Sequence, residues 1–166
     1  MAEPADMLPS AIDVSPLIFL MKAELLDLLH SFYERVLVPT AVVNEVSQYG
    51  ADDLTAKASS ATDWLEVAPP VQIPSKLQNV SLGNGETSVL AWSLLHPGTE
   101  VILDDLAARR CASKLGLPVR GTLGLAIAAK QRGYVEEARP LIEQLKEAGM
   151  YLSDSVINRA LALVDE

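Results

Sequence analysis

Short apolar runs alternate with stretches of helical periodicity along the chain, and this alternation is the feature that most constrains the fold. The apolar runs predict short strands at 10–14, 36–38, 64–67, 100–103 and 117–119. Between and after them, helical spacing predicts helices at about 15–29, 41–49, 52–62, 84–95, 105–115, 122–132, 136–148 and 153–164. Strands that alternate with amphipathic helices indicate an α/β sandwich with a largely parallel sheet. In such sheets, ligands bind beyond the carboxyl ends of the strands.

Local signals mark some of the element boundaries. Ser15 is predicted to cap the first helix, with Pro16 at its first helical position. Thr40 is predicted to cap the helix that follows the second strand, and that helix is predicted to end at Gly50. The alternating residues 64–67 predict an edge strand, and the proline-containing residues 68–80 a connecting loop.

The composition bounds the kind of protein. A chain of 166 residues with 49% hydrophobic and 5% aromatic residues fits one domain with an aliphatic core. The single cysteine, Cys111, rules out an intramolecular disulfide and a cysteine-rich zinc site. The apolar runs are shorter than the roughly 18–20 residues of a membrane span, and the acidic N-terminus has no signal-peptide pattern. We therefore expect a soluble, cytoplasmic protein with no membrane association.

Five acids stand at positions where chemistry is expected. Asp13, Asp104 and Asp105 follow predicted strands, Glu45 lies at the edge of an apolar helical stripe, and Glu86 faces inward in a first helical turn. Each acid alone has an ordinary explanation, either as a helix cap or as a charge favoured by the helix dipole. Together at one sheet edge they would repel one another unless a cation neutralised them. Oxygen ligands without histidine or cysteine favour Mg²⁺ or Mn²⁺ over zinc.

Five segments in order along the chain carry a family resemblance. They are Asp13–Ile18, Val38–Val46, Leu82–Ala91, Leu103–Ala112 and Gly121–Gly124. Their residues and spacing resemble the motifs of the PIN-domain family, in a subgroup that opens with an aspartate followed by Thr-Ser-Pro. The resemblance covers about residues 10–150. In this chain Val14 stands where the subgroup has threonine.

The resemblance implies a PIN-like fold and a nuclease activity. The expected fold is a three-layer α/β/α sandwich at 10–150, with an N-terminal extension at 1–9 and a C-terminal helix at 151–166 that packs on the domain or on a partner. The expected activity is Mg²⁺- or Mn²⁺-dependent hydrolysis of RNA phosphodiesters. Related members are VapC-like toxins of toxin–antitoxin pairs, which implies a homodimer held inactive by an antitoxin.

The family's site residues transfer by position. Asp13, Glu45 and Glu86 match the first three acids, and either Asp104 or Asp105 supplies the fourth. Asp13, Glu86 and the Asp104–Asp105 pair are predicted to bind metal, while Glu45 is predicted to hold a second ion or orient the attacking water. Ser15 is predicted to support Asp13 from beside it.

The charge distribution leaves a second function open. The net charge of −9 argues against indiscriminate binding of nucleic acid, but residues 106–133 contain six Lys or Arg and no acid. This segment predicts RNA contacts at Arg109, Arg110, Arg120 and Lys130, with a solvated basic face as the alternative. Val14 and the acidic surface favour the alternative function, a PIN-like module that no longer cuts and acts as a binding or regulatory partner.

Overall fold

The computed structural model describes residues 7–48 and 62–166, and its centre is a five-stranded parallel sheet. The strands are β1 (Ser10–Ile12), β2 (Val36–Pro39), β3 (Leu65–Ala68), β4 (Glu100–Ile102) and β5 (Val119–Arg120). Their spatial order is β3-β2-β1-β4-β5, and each neighbouring pair is parallel. The parallel sheet and the edge position of β3 are thus confirmed.

Eight α-helices lie within the described residues. They are α1 (Val14–Lys22), α2 (Leu26–Phe32), α3 (Thr40–Gln48), α4 (Asn84–Leu95), α5 (Leu106–Lys114), α6 (Thr122–Gln131), α7 (Arg139–Glu147) and α8 (Asp154–Ala162). A 3₁₀ turn at Ser75–Leu77 interrupts the loop between β3 and α4. Most of the predicted helix at 52–62 and the predicted helix end at Gly50 lie outside the described residues.

The strand order fixes where a ligand can approach the sheet. From β1, the chain adds β2 and then β3 on one side of the sheet. It then adds β4 and β5 on the other side. Because parallel crossovers are right-handed, this reversal places helices on both faces of the sheet. The result is an α/β/α sandwich with an aliphatic core, as the sequence predicts. A crevice is expected at the carboxyl ends of β1 and β4, where the strand order reverses.

The first helical region differs from its prediction. Helix α1 begins at Val14 with Asp13 as its N-cap residue, so the predicted cap at Ser15 was wrong and Ser15 lies exposed within the helix. The prediction of one continuous helix to residue 29 was also wrong. Glu24 adopts a left-handed backbone conformation with φ of 58°, which ends the helical path and lets α2 begin at Leu26.

Thr40 does not have its predicted capping role. It is the first residue of α3, and its hydroxyl donates a hydrogen bond to the carbonyl oxygen of Ala68 at 2.7 Å. The side chain therefore joins the end of β2 to the end of β3, because these two carboxyl ends lie side by side in the sheet.

The C-terminal helix belongs to the same core. In α8, Ile157, Ala160 and Leu161 are buried, and the helix packs against α6. Within residues 7–48 and 62–166, no helix has the length and hydropathy needed to cross a bilayer.

Candidate active site

Asp13 lies at the carboxyl end of β1, where the strand order of the sheet reverses. Its backbone N–H donates to the carbonyl of Ile102 at 3.1 Å, and its side chain is only 6% exposed. Its Oδ1 atom is buried and has no hydrogen-bond partner. Burial and, to a smaller extent, the negative charges of Glu86, Glu45 and Asp104 together raise the pKa of Asp13 to about 7, against the lowering effect of a hydrogen bond from the Val14 backbone. The structure thus buries a carboxylate among other acids.

Glu45 shares a contact point with Asp13. Its Oε1 atom accepts a hydrogen bond from the backbone N–H of Gly85 at 2.8 Å, across 40 residues of sequence. A Cβ atom at Gly85 would lie 2.9 Å from Glu45 Oε1 and 3.0 Å from Asp13 Oδ1. Two carboxylates therefore approach the start of α4 so closely that any side chain at position 85 would force them to move.

Glu86 combines a helix-terminal role with membership of the acidic cluster. Its Oε2 atom accepts a hydrogen bond from the Gly83 N–H at 3.1 Å, which satisfies a free donor at the start of α4. The side chain is half-buried, and burial raises its pKa, with further increases from the charges of Asp105 and Glu45. Glu86 thus accepts a hydrogen bond at the start of α4 and also lies within electrostatic range of two other acids.

The two acids after β4 have different partners. Asp104 accepts hydrogen bonds from the Thr122 backbone N–H at 2.8 Å and from the Thr122 hydroxyl at 2.7 Å. Asp105 is the exposed N-cap of α5 and accepts from the Ala108 N–H at 2.9 Å, so its predicted capping role is confirmed. The charge of Asp104 acts on Asp13, whereas that of Asp105 acts on Glu86.

Thr122 is a site residue to which the sequence alone assigned no role. It is buried at the start of α6 and holds both oxygens of Asp104, which joins the ends of β4 and β5. The available signal was the pair Gly121-Thr122 directly after a strand. A Cβ atom at Gly121 would lie 3.2 Å from both Asp104 Oδ1 and Arg109 Nη1, so the Arg109 guanidinium lies at the edge of the acidic cluster.

The four predicted RNA-contacting residues fall into two pairs. Arg109 and Arg110 are exposed on α5, and neither forms an ion pair with any described residue. Arg120 pairs with Glu100 at 2.8 Å, and Lys130 pairs with Glu166 at 3.1 Å. Only the first pair therefore presents free positive charge beside the acids.

The acidic cluster has the donor chemistry of a hard cation but not a completed set of ligands. Across residues 7–48 and 62–166, no three His, Cys, Asp or Glu side chains converge into a metal-binding arrangement. Glu45, Glu86 and Asp104 each accept instead from a backbone N–H near the start of a helix. The unpartnered, buried Oδ1 of Asp13 is the atom that fits a divalent cation, because a hard cation can satisfy a buried carboxylate oxygen.

Comparison with known proteins identifies the family. A family model described as a PIN domain matches residues 10–166. The chain belongs to the PIN-domain family. This membership confirms the resemblance carried by the five motifs and supports a nuclease-type fold. Among curated proteins no similar sequence was found.

Solved structures also resemble the PIN-domain chain, and 16 of their chains match it. One is the PIN domain endonuclease Utp24, at 14% sequence identity and a TM-score of 0.48. The match covers 68% of this chain and 84% of that one.

Proposed function

We propose that this PIN-domain protein is a ribonuclease that hydrolyses RNA phosphodiester bonds with the help of Mg²⁺ or Mn²⁺. The observation that carries the proposal is the buried, unpartnered Oδ1 of Asp13, surrounded by the charges of Glu86, Glu45 and Asp104. An arrangement of like charges in a crevice weakens the apo fold, and it is typical of sites that bind a cation.

The acids have distinct proposed roles. Asp13, Glu86 and Asp104 would hold the metal, and Asp105 is the second candidate for the position after β4. A divalent ion held by these residues would supply an activated water and would neutralise negative charge on the phosphate. Glu45, held by the Gly85 N–H, would orient the attacking water or hold a second ion. Thr122 fixes the carboxylate plane of Asp104 through two hydrogen bonds.

The proposed RNA contacts begin at the edge of the cluster. Arg109 and Arg110 would bind phosphates, since their guanidinium groups are exposed and free of ion pairs among the described residues. Arg120 and Lys130 remain predicted contacts, and RNA would have to compete with Glu100 and Glu166 for them. Ser15, exposed in the first turn of α1, remains a predicted support for Asp13.

A cellular role follows from the motif resemblance. We propose that the protein acts in the cytoplasm as the toxin of a toxin–antitoxin pair, as a homodimer inhibited by its antitoxin. The support for this role is the likeness of the five motifs to those of VapC-like toxins.

A binding module that no longer cuts RNA is the second candidate function. It is favoured by Val14 beside Asp13 and by the backbone N–H groups that already donate hydrogen bonds to the carboxylates of Glu45 and Asp104. The two candidates differ in turnover, which the following experiment measures.

Replacement of Asp13 by Asn tests the ribonuclease directly. We expect Mg²⁺- or Mn²⁺-dependent cleavage of a labelled RNA pool to fall by about 100-fold or more, because a removed ligand costs several kcal/mol of transition-state stabilisation. Circular dichroism should show an intact fold. The matched control is Glu143→Gln, an exposed acid on α7 whose loss should leave cleavage unchanged. Equal cleavage by wild type and Asp13→Asn would refute the assignment, and absence of cleavage in wild type would favour the binding module.

A further inference from the structure

A cavity of about 190 Å³ lies between α3, α4 and the loop that follows β3, and we call it the α3–α4 pocket. Its apolar lining includes three prolines and a tryptophan: Pro39, Pro69, Pro70 and Trp92. The His96 imidazole stacks on the Trp92 indole with ring centres 4.4 Å apart and an angle of 16° between the planes. This stacking and the proline rings make the apolar lining rigid.

Three polar side chains, Thr40, Asn44 and Ser88, line the same pocket. The Thr40 hydroxyl already donates to the carbonyl of Ala68, which leaves its oxygen lone pairs as acceptors. Within residues 7–48 and 62–166, the Asn44 amide and the Ser88 hydroxyl form no hydrogen bond. Each of these two groups can both donate and accept. The pocket therefore combines an apolar lining with a few polar groups that are free to bind a ligand.

The indole N–H of Trp92 is a further free donor. Its Nε1 atom is buried and has no hydrogen-bond partner in the described part of the chain. Buried N–H groups are usually paired, either within the protein or with another molecule. An acceptor on a ligand at this wall would satisfy the donor.

The α3–α4 pocket favours a neutral, planar ligand. None of its described lining residues carries a charge, and burying a charged ligand group without a countercharge is costly. Nucleobases combine apolar faces with donors and acceptors along their edges. A proline-rich peptide would also suit the apolar lining, but proline has no N–H to donate. Such a peptide would leave the acceptor oxygens of Asn44 and Ser88 unpaired.

The dimensions of the pocket suit a single heterocycle. Its volume corresponds to about six water molecules at about 30 Å³ each. A second cavity of about 290 Å³ adjoins it, because Trp92 and Pro69 line both. A sugar attached to a base in the first cavity would therefore have space in the second.

From these observations we propose that the α3–α4 pocket binds a nucleobase, with adenine preferred, and that Asn44 recognises its edge. An asparagine amide forms two hydrogen bonds with the adjacent N6 and N7 atoms of adenine. The inference goes beyond the proposed function, because binding a base requires neither a metal ion nor cleavage. A free nucleoside and an unpaired base of RNA present the same chemistry. Asn44 directly precedes Glu45, so the base pocket and the acidic cluster share helix α3.

Equilibrium dialysis of labelled adenosine against the wild-type chain in chelator tests the pocket. We expect saturable binding of one adenosine per chain, and binding of uridine at least about fivefold weaker. Asn44→Ala should weaken adenosine binding about tenfold, because it removes a two-bond contact with the base. Ser88→Ala should weaken it about threefold through the loss of one hydrogen bond. The matched control is Asn158→Ala, an exposed asparagine on α8 whose loss should leave the affinity unchanged.

Competition in the Asp13→Asn variant identifies the source of the base. Displacement of adenosine by an oligoadenylate of about six nucleotides would support the pocket as a site for an RNA base, and retention of adenosine would support a site for a free nucleoside. Absence of saturable adenosine binding, or equal affinities in Asn44→Ala and Asn158→Ala, would overturn the proposal. So would a proline hexapeptide that displaces adenosine and loses affinity in Asn44→Ala. Because chelator removes the metal, none of these outcomes decides whether the chain is a ribonuclease.

Discussion

Two groups of charged side chains at the sheet differ in how they are arranged: one is an ion pair, and the other is a cluster of acids. At the amino end of β4, the Glu100 carboxylate is paired with Arg120, the last residue of β5, and the Arg120 guanidinium also lies 5.8 Å from the centre of the Phe32 ring. At the carboxyl end, Asp13 is buried with an unpartnered oxygen among other acids. The difference separates charges that stabilise the sheet from those to which we assign a function: the ion pair joins β4 and β5, whereas the like charges at the carboxyl end are the proposed cation ligands.

Breaking the pair of Glu100 with Arg120 should reduce stability while leaving every acid of the cluster in place. Arg120→Met leaves Glu100, whose side chain is 13% exposed, without its cationic partner. We expect the free energy of unfolding to fall by about 3 kcal/mol, because an uncompensated, mostly buried charge remains. Urea unfolding measures this change.

A matched pair at the sheet edge provides the control. Arg35 pairs with Glu66, and their side chains are 56% and 39% exposed. Arg35→Met should cost less than about 1 kcal/mol because water screens an exposed ion pair. Equal losses at the two positions would remove the proposed distinction between buried and exposed pairs. A loss of Mn²⁺ affinity in Arg120→Met would show that the two ends are not independent.

Asp13, at the carboxyl end of the sheet, should make the free energy of unfolding of the metal-free protein depend on pH. The pKa of Asp13 is about 7 in the folded state, above its value in the unfolded chain, so the folded state binds the extra proton. Its contribution to stability is therefore full below the unfolded pKa and is lost as the pH rises through about 7. In chelator, the unfolding free energy should fall by about 2 kcal/mol between about pH 5.5 and about pH 8.

Asp13→Asn isolates this contribution. The variant should lose most of the pH-dependent change, because an amide does not titrate in this range. A wild-type stability that stays flat over the same interval, or one that falls equally in the variant, would show that Asp13 is not the titrating group.

A methyl group at Gly85 should disturb the site more than the fold. Gly85→Ala places Cβ within 3.0 Å of both Glu45 Oε1 and Asp13 Oδ1, so both carboxylates must move. We expect Mn²⁺ affinity to fall by about tenfold, or about 1.4 kcal/mol, while a better helix former at this position offsets part of any loss in stability. Gly83→Ala is the control, since its Cβ would meet Glu86 Oε2 at an ordinary 3.8 Å. Similar Mn²⁺ affinities for the two alanine variants would argue against a shared contact point at Gly85.

The sequence predicted those features of the site that depend on one element at a time. Asp13 and Asp104 could be placed because each follows a short apolar run, and the carboxyl ends of neighbouring parallel strands meet. The capping role of Asp105 could also be predicted, because the helix that it caps follows it directly in the sequence. The hold of Thr122 on Asp104 and the pairing of Arg120 with Glu100 were not predicted, because they join residues 18 and 20 positions apart. The break at Glu24 had no signal either, since glutamate rarely adopts a positive φ.

Binding of a divalent ion is the most direct test of the acidic cluster. Isothermal titration calorimetry of Mn²⁺ into the wild-type chain at neutral pH should show saturable binding, with proton uptake by the buffer because a ligand must be deprotonated. Asp13→Asn should show no measurable binding, and Glu143→Gln should match wild type. Binding of equal affinity in Asp13→Asn would contradict the account, because it would place the cation away from the one buried carboxylate oxygen that lacks a partner among the described residues.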